Sequence, residues 1–139
     1  KILVCVKQVY DSPDTLVFNE SSGRVEFGSH TVFRMNRYDE YAVEEALRIR
    51  ERITGVAVDA VSVGPDRVRK TIRRALEMGA DHGIHIRTGG ETDLDPLERA
   101  HHIASLARDR RYAVSYTHLR AHETPEHLVC RLLLAKKQT

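Results

Sequence analysis

GVAVDAVSVGPDRVRKTIRRALEMGADHGIHI, residues 55–86, is the stretch that decides the fold. Residues 55–63, GVAVDAVSV, read as a strong strand. Gly64-Pro65-Asp66 breaks that run. A helix is expected over residues 67–78, with Val68, Ile72, Ala75 and Leu76 as its inner stripe. Arg67, Arg69, Lys70, Arg73 and Arg74 occupy much of its remaining surface. Gly79 fits the left-handed position that closes a helix. Residues 82–86, HGIHI, are a further short strand. Strand, helix and strand at this spacing imply parallel pairing with a crossover helix.

Outward from this unit the same alternation continues. Residues 2–6 are near-continuously apolar and form a first buried strand. Asp11, Ser12, Pro13 and Asp14 make a turn cluster. Residues 16–18 and 24–27 flank a Ser-Ser-Gly turn, which suggests a small hairpin. Residues 35–53, MNRYDEYAVEEALRIRERI, are the clearest helix. Asn36 suits its N-cap, and Asp39 places negative charge where the helix dipole favours it. Ala42, Val43, Ala46, Leu47, Ile49 and Ile53 give the apolar stripe, and Glu44 and Arg48 can pair on the outer face. Asp95-Pro96-Leu97-Glu98 opens another helix with cap, proline and capping-box acid in order. Leu97, Ala100, Ile103, Ala104 and Ala107 turn that helix inward. Residues 112–116 can begin a fourth strand. The expected class is α/β, with helices on both faces of a mainly parallel sheet. Ligands of such sheets bind at the carboxyl ends of the strands. The segments that meet there are the residues after Val6, the Gly64 turn and the Asn36 turn.

The 139 residues, 41% hydrophobic and 30% charged, suit one globular domain with a core. Net charge is +2, from 22 basic and 20 acidic residues, too balanced to argue for nucleic acid. Cys5 and Cys130 form no framework and no CxxC pair, which points to a reducing compartment. No apolar run approaches the ~20 residues of a membrane span, and the start lacks the pattern of a signal peptide.

The chemistry is sparse. Neither GxGxxG nor GxxxxGK[ST] occurs. The Gly64 turn could bring backbone close to a nucleotide, but on its residues alone it is an ordinary strand-to-helix connection. The start of the Asn36 helix is either a simple cap or an anion site. The basic face of the 67–78 helix, opposed by Glu77 and the acidic preceding helix, is a solvated surface. His82 and His85 bracket a strand on opposite faces, and the adjacent His101 and His102 diverge on a helix, so structural roles suit them. His118 and His122, with Glu123 and His127 nearby, have the spacing of helical metal ligands. Cys5, inside a strand, suits inert packing.

In order along the chain, KILVCVKQV, MNRYDEYAVEEALRIRE, VSVGP, TIRRALEMGADHGIHI and DPLERAHHIASLA resemble the β subunit of electron transfer flavoprotein. The resemblance spans residues 1 to about 113. It implies a three-layer, Rossmann-like nucleotide-binding fold of the adenine nucleotide α-hydrolase type. It also implies an electron carrier, not itself an enzyme, that works as a heterodimer with an α subunit. That carrier takes electrons from acyl-CoA dehydrogenases in fatty acid oxidation. It passes them to the quinone pool through an ETF:quinone oxidoreductase. FAD is held mainly by the α subunit, while the β subunit binds AMP or, in a bifurcating branch, a second FAD. Cys5, Asn36, Arg37, Tyr38, Asp39 and Val63 fall where the family contacts the adenine nucleotide. No catalytic residue and no metal ligand is implied, and the expected location is the bacterial cytoplasm. Tyr10 departs from the proline usual in the family's VKQVPD run.

After about residue 113 the resemblance stops. The family continues with a Gly- and Asp-rich loop that wraps the nucleotide phosphate. SYTHLRAHETPEHLVCRLLLAKKQT instead resembles translated sequencing-adapter read-through. The expected organisation is therefore a truncated domain over 1–113 and an artefactual, mobile or weakly helical tail over 114–139. The His118/His122 spacing is then accidental, and this chain should bind nucleotide weakly or not at all. The other reading of the residues is a stand-alone adenine-nucleotide-binding domain of the universal-stress type.

Overall fold

In the computed structural model, the described residues are 1–11, 16–21, 23–28, 30–89, 94–110, 112 and 114–116. The chain begins with β1 (Ile2–Cys5), β2 (Gln8–Tyr10), β3 (Leu16–Asn19), β4 (Arg24–Phe27) and β5 (Phe33–Met35). Then come α1 (Arg37–Arg52), β6 (Val58–Gly64), a 3-10 turn (Asp66–Val68) and α2 (Arg69–Met78). β7 (His82–Arg87), α3 (Pro96–Asp109) and β8 (Val114–Tyr116) complete it.

The central sheet has the order β7-β6-β1-β8, and every pairing in it is parallel. Ile2 lies opposite Val58 on one side and Val114 on the other. The period-two alternation of the strands divides the core into two layers. Ile2, Val4, Val58 and Ala60 pack with Ala42, Val43 and Ala46 of α1 and Ala75 of α2. Leu3 and Val61 face the other way, toward Tyr112 and Ile103, Leu106 and Ala107 of α3. Leu3, Val4, Ala42, Val43 and Val58 have no exposed surface at all. The fold is thus α/β, three-layered and Rossmann-like, as the alternation of elements implies.

α1 starts where the Asn36 cap places it, with the Asn36 side chain accepting from the Tyr38 amide. Glu44 and Arg48 pair at 3.1 Å. The stripe stops short of Ile53, which is 54% exposed because the helix ends at Arg52. α3 has the expected capping box between Asp95 and Glu98. Gly79 closes α2 at a φ of 118°.

Two leucines read as inward are not. Leu76 is 41% exposed and Leu97 43%. The buried stripe of α2 is instead Thr71, Ile72 and Ala75, continuing from Val68 in the 3-10 turn, with helical spacing. Leu76 flanks that stripe beside the edge strand β7, where its Cδ1 lies 3.3 Å from the place a Cβ on Gly83 would take. Leu97 stands in the first turn of α3 between Pro96 and Glu98, which are exposed with it.

β3 and β4 form the expected hairpin, with Leu16 opposite Phe27. A second antiparallel pair was not legible: β2 lies against β5, with Gln8 opposite Met35 and Tyr10 opposite Phe33. Arg34 extends it through a 2.6 Å ion pair to Asp11. Part of the turn cluster, residues 12–14, lies outside the described residues. Of residues 114–139 only 114–116 are described, as β8, so the sheet takes in residues beyond 113. His118, His122, Glu123 and His127 lie outside the described residues.

Candidate functional site

The carboxyl ends of β1 and β6 and the N-terminus of α1 share one edge of the sheet. Each segment arrives there for a local reason. β1 ends where Lys7 interrupts the apolar run. β6 ends at Gly64, whose φ of 157° and close approach to the helix suit glycine, because a Cβ there would sit 2.8 Å from Val68 Cγ1. α1 starts at Asn36 because that side chain caps its first turn.

Hydrogen bonds stitch the first and third segments together. The Lys7 amide donates to Asp39 Oδ2 at 2.8 Å. The Asn36 amide donates to the Lys7 carbonyl at 3.0 Å. The Asn36 carbonyl in turn accepts from the amides of Asp39 and Glu40 at 2.9 and 3.2 Å. Asp39 is only 8% exposed, so its carboxylate is a brace between the end of β1 and the start of α1. On the β6 side, the Val6 amide donates to the Val61 carbonyl at 2.8 Å. His85 Nε2 donates to the Gly64 carbonyl at 2.9 Å, and Arg87 pairs with Asp66 at 2.9 Å.

The six residues singled out in the sequence occupy this edge in different ways. Cys5, the last residue of β1, is half-buried against the Leu3, Val61 and Tyr112 cluster. Val63, next to last in β6, is half-buried opposite Ile86. Asn36 is half-buried, while Arg37 and Tyr38 are exposed, Tyr38 by 55%. Asp39 is buried as described. The edge therefore offers small apolar strand ends, an exposed aromatic ring, an exposed guanidinium and the positive end of a helix dipole. Such a set can hold a flat base, a sugar and an anion. Among the described residues no group of three or more His, Cys, Asp or Glu side chains could hold a metal ion.

Two residues of this edge escaped the sequence. Gln8 and Arg67, 59 positions apart, bond reciprocally: Gln8 Nε2 donates to the Arg67 carbonyl at 3.1 Å, and Arg67 Nη1 donates to Gln8 Oε1 at 3.1 Å. The only local signal was the position of Arg67 at the head of a basic helix, which suggested solvent.

A second polar cluster lies toward the opposite end of β6. Asp59 is 1% exposed, yet it accepts from Tyr112 Oη at 2.5 Å and from His82 Nδ1 at 2.9 Å. Burial pushes its carboxyl up. The bonds from Tyr112 and His82 and the charges of His82 and Lys1 outweigh that, and the group sits below its ordinary 3.8. Burial, then the bond to Asp59 and its charge, pushes Tyr112 up from 10.0 to about 12. A lone acid in GVAVDAVSV was the available signal, since a charge inside a buried strand requires partners.

An α/β sheet with a helix N-terminus braced at its carboxyl edge is an architecture whose ligands bind at the strand ends. Comparison with known proteins then places the chain. A sequence model of the Electron transfer flavoprotein domain matches residues 26–122, well over half of the chain, and the chain belongs to that family. It is similar to the electron transfer flavoprotein subunit beta of Dictyostelium discoideum, 42% identical over 106 residues, which cover 76% of this chain and 41% of that protein. The subunit beta of Mus musculus is 42% identical over 111 residues, 77% of this chain and 42% of that protein. That of Bradyrhizobium diazoefficiens is 40% identical over 110 residues, 78% and 43% respectively. The chain spans about two-fifths of the length of these curated relatives. Among the described residues no helix is long and apolar enough to cross a membrane.

Proposed function

We propose that this chain supplies the nucleotide-holding part of the β subunit of an electron transfer flavoprotein. The observation that carries the proposal is the Asn36–Asp39 turn, bonded to Lys7 at the carboxyl ends of the parallel strands, in a chain of this family. The nucleotide is AMP. In this reading Cys5 and Val63 form the floor under the base and the Tyr38 ring covers it. Arg37 and the start of α1 face the anionic end. Asp39 contributes by holding the turn in shape, because its carboxylate is engaged by the Lys7 amide. The residues present fit such a ligand: the strand-end side chains are small and half-buried, and the exposed groups are aromatic or cationic.

The redox chemistry belongs to FAD, shared with an α subunit, while the protein binds and orients it. In the working assembly the flavin would carry electrons from acyl-CoA dehydrogenases to an ETF:quinone oxidoreductase. The family match favours this reading over a stand-alone domain of the universal-stress type.

The test is an AMP titration followed by amide NMR shifts, which locate even weak binding. The expected result is shifts concentrated at Cys5, residues 36–39 and Val63. Shifts centred elsewhere, or none at millimolar AMP, would refute the proposal.

A further inference from the structure

Arg67 leaves the basic face on which the sequence placed it. It is half-buried, and its guanidinium lies 4.5 Å above the centroid of the Phe33 ring. The same guanidinium donates to the Gln8 side chain at 3.1 Å, and Gln8 donates back to the Arg67 carbonyl at 3.1 Å. These contacts join segments that are far apart in the chain. Arg67 follows β6, Gln8 opens β2, and Phe33 opens β5, which runs directly into Asn36. β2 and β5 are themselves paired, so Gln8 and Phe33 form one ledge beside the Asn36 turn. The Lys7, Asn36 and Asp39 bonds tie β1 to α1, and the His85 bond ties β6 to β7. Beyond the backbone ladder of β1 and β6, Arg67 adds a side-chain link between those two sets.

We infer that Arg67 is the positioning residue of this edge: it fixes the gap between the Asn36–Asp39 turn and the Val63–Gly64 strand end. The inference rests on the nucleotide reading above and deepens it. A ligand held between two turns gains affinity when the gap is already set, since little ordering is left for binding to do. Arginine suits the task because its planar group can lie on an aromatic face while donating in its own plane. A lysine ammonium carries the charge without the plane. Because the guanidinium is engaged by Gln8 and Phe33, Arg67 acts on a nucleotide through the turns and not by direct contact.

The experiment compares Arg67→Ala, Arg67→Lys and the exchange pair Gln8→Arg with Arg67→Gln in the 139-residue chain. Amide hydrogen exchange is measured at Lys7 and Asn36, with Val4 and Val61 as core references, beside the AMP titration. In Arg67→Ala, exchange at Lys7 and Asn36 should quicken about tenfold, core amides should not change, and AMP affinity should fall about tenfold. Arg67→Lys should behave like Arg67→Ala. The exchanged pair restores a guanidinium and an amide facing each other, and should recover affinity to within about threefold of the parent. Full retention by Arg67→Lys, or AMP affinity unchanged in Arg67→Ala, overturns the inference. So does quickening that includes the core amides, since it reports a general loss of stability. If the parent chain shows no AMP shifts, the nucleotide reading fails, and exchange at Lys7 and Asn36 decides the positioning role by itself.

Discussion

Replacing Tyr112 with phenylalanine tests the polar cluster on β6. The ring would keep its place against Leu3 and Val61, and only the hydroxyl would go. That hydroxyl donates to the 1%-exposed, ionised carboxylate of Asp59. A bond to a charged partner contributes about 1.5–3 kcal/mol, and His82 still serves the other oxygen, so a loss of about 2 kcal/mol is expected at pH 7. The pH dependence provides a second check. Tyr112 ionises at 10.0 when unfolded and at about 12 when folded. Its contribution is therefore complete below pH 10 and is lost as pH rises toward the folded value. At ~1.36 kcal/mol per unit the loss is roughly 2–3 kcal/mol across that window. Phenylalanine has no such loss, so the two proteins should converge in stability near the top of the window. The other tyrosines are common to both and cancel. Urea unfolding followed by far-UV circular dichroism, at neutral pH and at about pH 11, measures both effects. A difference below ~0.5 kcal/mol at neutral pH, or one that does not change between the two conditions, would refute the reasoning.

Four further outcomes can be checked with the same unfolding assay. Asp39→Ala should cost about 1.5–3 kcal/mol and scatter the AMP-induced shifts, because it leaves the Lys7 amide without its charged acceptor. Gly83→Ala should cost about 1–3 kcal/mol, since the added Cβ would collide with Ile72 Cγ2 and push α2 off β7. Arg48→Ala should stay within ~0.5 kcal/mol, as its partners Glu44 and Glu45 are exposed with it. On the acid side, the Val58 amide bond, against some burial and with help from Arg50, holds Asp81 below 3.8, and Asp59 is lowered too. Both contribute fully above that ordinary value and lose their effect as pH falls through the lower folded ones. Acid unfolding should therefore set in below about pH 4, and less steeply in Asp81→Asn.

What the sequence made legible follows from local physics. β1 and β6 are mainly apolar runs, β7 follows the Gly79 stop, and α1 and α3 carry their own caps at Asn36 and Asp95, so each could be read within a few neighbouring residues. What escaped depends on partners distant in the chain. β2 and β5 are three residues each and exist as strands only because Gln8 finds Met35. The Gln8–Arg67 pair spans 59 positions and the Tyr112–Asp59 bond spans 53, and no periodicity encodes either. Leu76 and Leu97 misled for a related reason. A helical stripe shows which side of a helix is apolar but not how far the sheet beneath it extends. At the candidate site, the residues proposed to face a nucleotide came from resemblance. The bracing by Asp39 and Arg67 needed coordinates.

The place of β1 between β6 and β8 has a consequence for how the chain folds as it is made. Ile2 pairs with Val58 and Val114, so this inner strand joins partners synthesised much later. β6, α2 and β7 are contiguous and can assemble as soon as they emerge, whereas β1 must wait with its apolar residues uncovered. At translation rates of ~5–20 residues per second that wait lasts on the order of several seconds. β1 is thus made before β6 and β8 yet enclosed only once they arrive, and it is a segment a holding chaperone would meet.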